Sequence, residues 1–207
     1  MAPSKTPLEN QFLFVGNYLC LDFLNTEMVV GGQPTDSLRG FDNLVAWLVE
    51  SRTLNGLQAE DILGGWQSSR EAATTFQNAV KLRASLREMA ERLVKGKTVP
   101  QSTVAGINEW LAYQTGHAEL KRTRGGFQKR FQADFRAPEQ LLWPVAESAS
   151  ELLCYADLTL VKKCENTACV LFFYDTTKNH SRRWCSMSVC GNRMKVAAHY
   201  QRLREMR

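Results

Sequence analysis

Leu82, Leu86, Met89 and Leu93 recur at intervals of three and four, and with Phe76 and Ala79 they draw one apolar stripe through the middle of the chain. That spacing predicts a helix from about Ser69 to Lys95, stopped by Gly96. The same period predicts shorter helices at about 37–51, capped by Asp36 and with Leu38, Phe41, Leu44, Val45 and Leu48 inward, at about 58–66, and from Pro100 to about Thr115. Pro138 opens another, running to near Leu160 with Leu141, Leu142, Val145, Ala149, Leu152 and Leu153 inward. Two stretches break the pattern. QFLFVGNYLCLDFLNT at 11–26 is a broken apolar run that reads as short extended segments, and Gly31-Gly32-Gln33-Pro34 marks a loop. Phe127, Lys129, Phe131, Ala133 and Phe135 alternate as a strand does, and Gly125-Gly126 turns them back on HAELKRTR as a hairpin.

The predicted elements give an α+β chain, mostly helical up to residue 160, with a change of character at 161. Among 207 residues, ten Lys/Arg and only three Asp/Glu lie from Lys162 onward, whereas the preceding part holds sixteen basic and eighteen acidic residues. A basic module on a near-neutral body suggests a polyanionic partner for the module. Phe172, Phe173, Tyr174 and Trp184 argue that it folds rather than trails as a solvated tail. No apolar run reaches the ~18 residues of a membrane helix, and Met1 to Asn10 lacks the apolar stretch of a signal peptide, so a cytoplasmic location with no membrane partner is expected.

Four of the six cysteines fall in the basic module as Cys164-x4-Cys169-x15-Cys185-x4-Cys190. Two matched pairs, separated by enough chain for a hairpin, can bring four thiolates to the corners of a tetrahedron, the shell zinc prefers. One structural zinc is the leading reading; an iron–sulfur cluster or unligated core thiols are the alternatives. Four thiolates would leave no position for a catalytic water. Cys20 and Cys154, each in apolar surroundings, read as core thiols. A final helix is expected from Val189 to about Met206, capped by Ser188, with Val189, Val196, Tyr200 and Leu203 packed on the Phe172/Phe173 hairpin. Lys195, His199 and Arg202 would lie on its far side. With Lys178, Arg182, Arg183 and Arg193 they make Lys178, Arg182, Arg183, Arg193, Lys195 and Arg202 the candidate phosphate contacts.

CSMSVCGNR at 185–193, the preceding SRRW and the upstream FFYDTTKN resemble the CGNR zinc finger family. LCLDFLNT at 19–26, the Asp36-to-Leu48 helix, Leu82-Arg83 with Leu86-Arg87, and the Gly125-Gly126 hairpin are similar to the ABATE domain that accompanies it. The resemblance implies an ABATE-like domain over 1–160, which serves as a ligand-binding domain or scaffold, and a treble-clef finger over 161–207. It further implies a stress-linked bacterial transcription regulator, which with the basic face of the finger makes a DNA-binding regulator the leading expectation. A protein-docking finger, or a redox sensor built on the zinc thiolates, would be the alternatives without direct DNA binding.

Within the first domain Arg83 and Arg87 are one helical turn apart. With Asn25 they could hold a small anionic ligand. Equally, the arginines could pair with local acids such as Glu88 or Glu91 while Asn25 caps a turn. A homodimer is left open. The three histidines, His117, His180 and His199, have no metal-binding spacing, and the chain shows no phosphate loop or nucleophile elbow, so no catalytic residues and no enzyme are expected.

Overall fold

The computed structural model describes residues 12–192 and 194–196. LCLDFL at Leu19–Leu24 is a short helix, α1, rather than the extended segment its composition suggests. A continuous apolar run suits a buried strand and a buried helix equally well by periodicity alone. Here burial all round the helix, from Cys20 to Leu24, decided for the helix. Hairpin β1 (Glu27–Val30) and β2 (Gln33–Asp36) follows, and the expected loop is its turn: Gly31 and Gly32 take φ of 59° and 83°. Both turn positions of such a two-residue hairpin need positive φ, which glycine adopts without strain.

Helix α2 (Phe41–Glu50) starts later than expected, with Gly40 at its cap position. Asp36 instead closes a turn by accepting from the Leu38 amide at 2.8 Å. Helices α3 (Gly56–Trp66), α4 (Arg70–Val94) and α5 (Gln101–Leu111) agree with the periodicity to within a few residues. Ser69 caps α4 through the Ala72 amide, and Gly96 follows it at φ +62°. Strands β3 (Gly116–Thr123) and β4 (Gly126–Ala133) form the second hairpin. A 3-10 turn at Pro138–Leu142 leads into α6 (Trp143–Tyr155).

The main core lies between these helices. Leu82, Leu86 and Met89 of α4, Leu44 and Trp47 of α2, Val145 and Leu152 of α6, and Leu21 and Phe23 of α1 close on one another. Cys20 joins this core, but Cys154 is exposed. It is two residues past Leu152 on α6, and two helical steps carry it round to solvent.

From residue 161 the chain forms a third two-stranded sheet, β5 (Val161–Lys163) with β6 (Phe172–Tyr174). Successive side chains of a strand point to opposite faces. Phe172 therefore belongs to the main core, whereas Phe173 packs with Cys164, Cys185, Cys190 and Leu171 in a second, smaller core. Strand β6 is a wall shared by both. Val161 also lies in the main core, so the change of composition at 160/161 is not matched by a gap in packing. The last described element is a π-helical turn, Met187–Gly191, followed by helical residues at 192 and 194–196. It begins after Ser186 rather than Ser188, and Val196 is 55% exposed rather than packed on β6. The wide first turn changes the angle between successive side chains, so a constant 100° projection from Val189 loses register. Val189 itself packs against the smaller core.

Candidate metal centre

The first cysteine pair is carried on a knuckle. Cys164 donates its amide to Leu171 O at 2.9 Å, and Cys169 donates to Asn166 O at 2.8 Å, which closes the turn between them. Asn166 has two further roles: its side-chain Oδ1 accepts from the Ala168 amide, and its Nδ2 donates to Cys190 Sγ at 3.3 Å. A buried amide thus fixes one pair against the other and donates to a sulfur that carries charge when it binds metal. The second pair flanks the entry to the π-helical turn, where the amides of Cys190 and Gly191 both donate to Ser186 O at 3.0 Å.

Four Sγ atoms, of Cys164, Cys169, Cys185 and Cys190, lie within 4.8 Å of one another. Cys169 and Cys185 are 3.9 Å apart. Tetrahedral zinc with Zn–S bonds of about 2.3 Å places its sulfurs roughly 3.8 Å apart, so the cluster has the right size for one ion. The thiols alone make a poor cluster. Cys169 is pushed down to about 5, chiefly through its hydrogen bond with the Cys185 thiol, and Cys185 is pushed up by that same bond and by burial. Crowded sulfurs cannot all ionise without a cation among them, and a divalent ion removes the conflict. The donor set is complete with four thiolates, and the site is structural.

FFYDTTKN supplies a second organising centre that the sequence did not disclose. Asp175 is fully buried and accepts from Lys162 Nζ at 2.6 Å, Thr177 Oγ1 at 2.6 Å, Thr177 N at 3.0 Å and Arg182 N at 2.9 Å. Burial raises its pKa, but these donors overcome burial and hold the carboxyl well below the usual range. An Asp followed two residues later by Thr is the recognisable signal of such a turn.

The six expected phosphate contacts separate into three groups. Lys178 and Lys195 are exposed. Arg183 is exposed too, paired with Glu165 at 2.6 Å and stacked at 5.0 Å on Trp184. Arg182 turns inward: it donates to Val15 O at 2.9 Å, Trp184 O at 3.0 Å and Cys185 O, and lies 4.1 Å over the Phe173 ring. A guanidinium has five N–H donors in a fixed fork, and this one spends its fork on the backbone carbonyls of Val15, Trp184 and Cys185. Arg193 and Arg202, with His199, Tyr200 and Leu203, lie outside the described residues.

Asn25, Arg83 and Arg87 are near one another but do not converge on an open cavity. Asn25 is fully buried and pairs with the backbone of Phe172. Arg83, its side chain 2% exposed, forms a two-pronged pair with Asp36 at 2.7 and 2.6 Å, reaches Glu27 at 3.1 Å and donates to Thr26 Oγ1. Arg87 binds Glu27 at 3.1 Å, Leu24 O at 2.7 Å and Val170 O at 3.4 Å. The acids are those of the β1–β2 hairpin, not the neighbouring Glu88 and Glu91. Arg87 borders a cavity of about 500 Å³ between that hairpin and the finger, whose rim carries Glu27, Asp36 and Glu91 against Arg87 and Lys163. Three carboxylates facing two cations do not make a receptor for an anion.

Geometry and sequence therefore define a helical domain with a fused four-cysteine zinc finger. Residues 17–156 match the model of the ABATE family, described as "Putative stress-induced transcription regulator", and residues 161–203 match that of the CGNR zinc finger. The chain belongs to the ABATE family and carries one structural zinc site in its CGNR finger. Both families are of non-enzymatic kinds. No curated protein matches the chain. Among the described residues no helix is long and apolar enough to cross a membrane.

Proposed function

We propose that the protein is a DNA-binding transcription regulator whose finger meets the phosphate backbone through Lys178, Arg183 and Lys195, joined by Arg193 and Arg202. The observation that carries this reading is the division of labour among the finger's basic residues. Arg182 and Lys162 are consumed by the fold, on backbone carbonyls and on Asp175, whereas Lys178, Arg183 and Lys195 remain exposed on the same four-cysteine module. Exposed cations held on a stiff frame neutralise phosphates at little conformational cost. The family's description as a transcription regulator supports the same reading.

The helical domain, on this reading, is a scaffold. Arg83 and Asn25 brace the hairpin and the finger, and a docked finger transmits to DNA any change that the domain undergoes. The test is fluorescence anisotropy on labelled duplex DNA over a range of salt concentrations. Replacing Lys178, Arg183 and Lys195 together by Ala is expected to reduce the salt slope by about 2.7, at 0.9 per lost phosphate contact. Parent-like affinity and slope in that variant would reject the surface.

A further inference from the structure

Strands β3 and β4 carry a charge that the rest of their domain lacks. Between Gly116 and Ala133 stand Lys121, Arg122, Arg124, Lys129 and Arg130 against Glu119 alone, while the other residues up to Val161 hold eleven Lys/Arg against seventeen Asp/Glu. A ribbon of net +4 projects from a body of net −6.

The register sorts its side chains cleanly. Ala118 faces Phe131, Leu120 faces Lys129 and Arg122 faces Phe127 on one side; on the other His117 faces Gln132, Glu119 faces Arg130 and Lys121 faces Gln128. The first face is anchored at its base, where Phe131 packs on Trp143 at 5.3 Å between ring centroids. Further out Leu120 and Phe127 are 68% and 66% exposed, and Arg122 lies 5.4 Å over the Phe127 ring. The second face is polar throughout. Its internal bonds, Lys121 to Glu119 at 3.1 Å and Arg130 to Gln128 at 3.0 Å, are exposed and readily exchanged for others.

We infer that the β3–β4 ribbon is a second DNA-contacting element, separate from the finger, with duplex phosphates as the partner of its cations. The inference rests on the DNA-binding reading above. A two-stranded ribbon fits the major groove of B-DNA, and eight residues at roughly 3.3 Å each give ~26 Å of ribbon to lie along it. Lys, Arg and Gln, which alternate along the polar face, are the side chains that hydrogen-bond base edges and phosphates. Arg122, Arg124 and Lys129 extend the positive surface to the margins and the tip. A second copy of the chain is the poorer occupant, since two ribbons of net +4 laid together repel, whereas a polyanion neutralises the charge. An isolated hairpin is only marginally stable in water, and a partner along its length supplies what the body does not.

The experiment uses the full zinc-loaded chain and a random-sequence duplex of about 20 base pairs, which suffices because the phosphate contribution is independent of sequence. Lys121→Gln, Lys129→Gln and Arg130→Gln combined are expected to weaken binding at low salt at least about tenfold and to lower the salt slope by about 2.7. Far-UV circular dichroism checks that the ribbon is kept. If this variant binds as the parent does while the finger variant K178A/R183A/K195A is weakened, the ribbon inference falls and the DNA reading stands. A parent that binds no duplex at any salt concentration ends both. Sedimentation of Leu120→Ser/Phe127→Ser supplies the remaining arm: a dimeric parent made monomeric by these changes would assign the ribbon to a second copy and overturn the inference.

Discussion

Asn25 and Phe172 are joined by two hydrogen bonds through one amide: Asn25 Nδ2 donates to Phe172 O at 2.7 Å, and Phe172 N donates to Asn25 Oδ1 at 2.9 Å. The side chain mimics a strand partner for β6, satisfying both polar groups of a buried peptide. It stands at the end of α1, 147 residues away in sequence, so it ties the helical domain to the finger at the strand both cores share. Arg87 to Val170 O, Arg182 to Val15 O and Tyr174 N to Gly16 O reinforce the same seam.

Asn25→Ala leaves the Phe172 N–H and C=O buried without partners, at about 1–3 kcal/mol each. Thermal unfolding should move down by several degrees, and cleavage by a protease in residues 161–172 should speed up. Asn25→Asp keeps the acceptor but faces a carbonyl oxygen with a carboxylate, and should be at least as unstable as Asn25→Ala. An alanine variant with parent-like stability would mean that the seam does not hold the finger.

Arg182 and Arg183 are neighbours with opposite duties, and their alanine variants should separate. Arg182→Ala removes the guanidinium that bridges Val15, Trp184 and Cys185, and is expected to cost about 2–4 kcal/mol of stability. Arg183→Ala should leave the melting temperature within a degree or two, because an exposed pair such as that with Glu165 contributes little. It should lower the salt slope of DNA binding by about 0.9. Equal melting temperatures for the two variants would contradict the division between fold and surface.

Asp22 gives the seam a pH dependence. Burial raises its carboxyl from 3.8 to about 6, against the lowering effect of the Gly16 and Val15 amides, each donating at 2.7 Å, and of the Arg182 charge. The folded state therefore binds a proton more tightly than the unfolded chain. The contribution is most favourable below pH 3.8 and is lost as pH rises through 6. Asp22→Asn keeps the acceptor and removes the charge. The stability of the parent minus that of the variant should fall by on the order of 2–3 kcal/mol between pH 4 and pH 7. Zinc release in acid is common to both proteins and cancels in the difference; a flat difference would show that Asp22 keeps its ordinary pKa.

Zinc removal should reach beyond the finger. The purified protein is expected to hold one zinc per chain by elemental analysis, and Cys185→Ser to lose it. Because Phe173 packs on the cysteine cluster and Phe172 on the main core, chelation should also raise amide exchange at Phe172 and in α1. Protection of α1 unchanged in chelator would show that the two cores are energetically independent.

The stripe Leu82, Leu86, Met89 fixed α4 from local spacing alone, and Cys164-x4-Cys169 with Cys185-x4-Cys190 specified the metal centre, because both signals depend on residues close in sequence whose geometry is set by the backbone between them. LCLDFL was ambiguous because an apolar run carries no period, and only burial on every side made it a helix. Tertiary structure alone decided which polar groups are consumed. Nothing near Asn25 in sequence points to Phe172, and nothing near Arg83 points to Asp36, since these partners are brought together by packing of distant segments. For the same reason the charge count could name Arg182 and Arg183 only as alike. The fold turned one to the carbonyls of Val15 and Cys185 and left the other at the surface, because a buried carbonyl without a donor costs more than an exposed guanidinium gains.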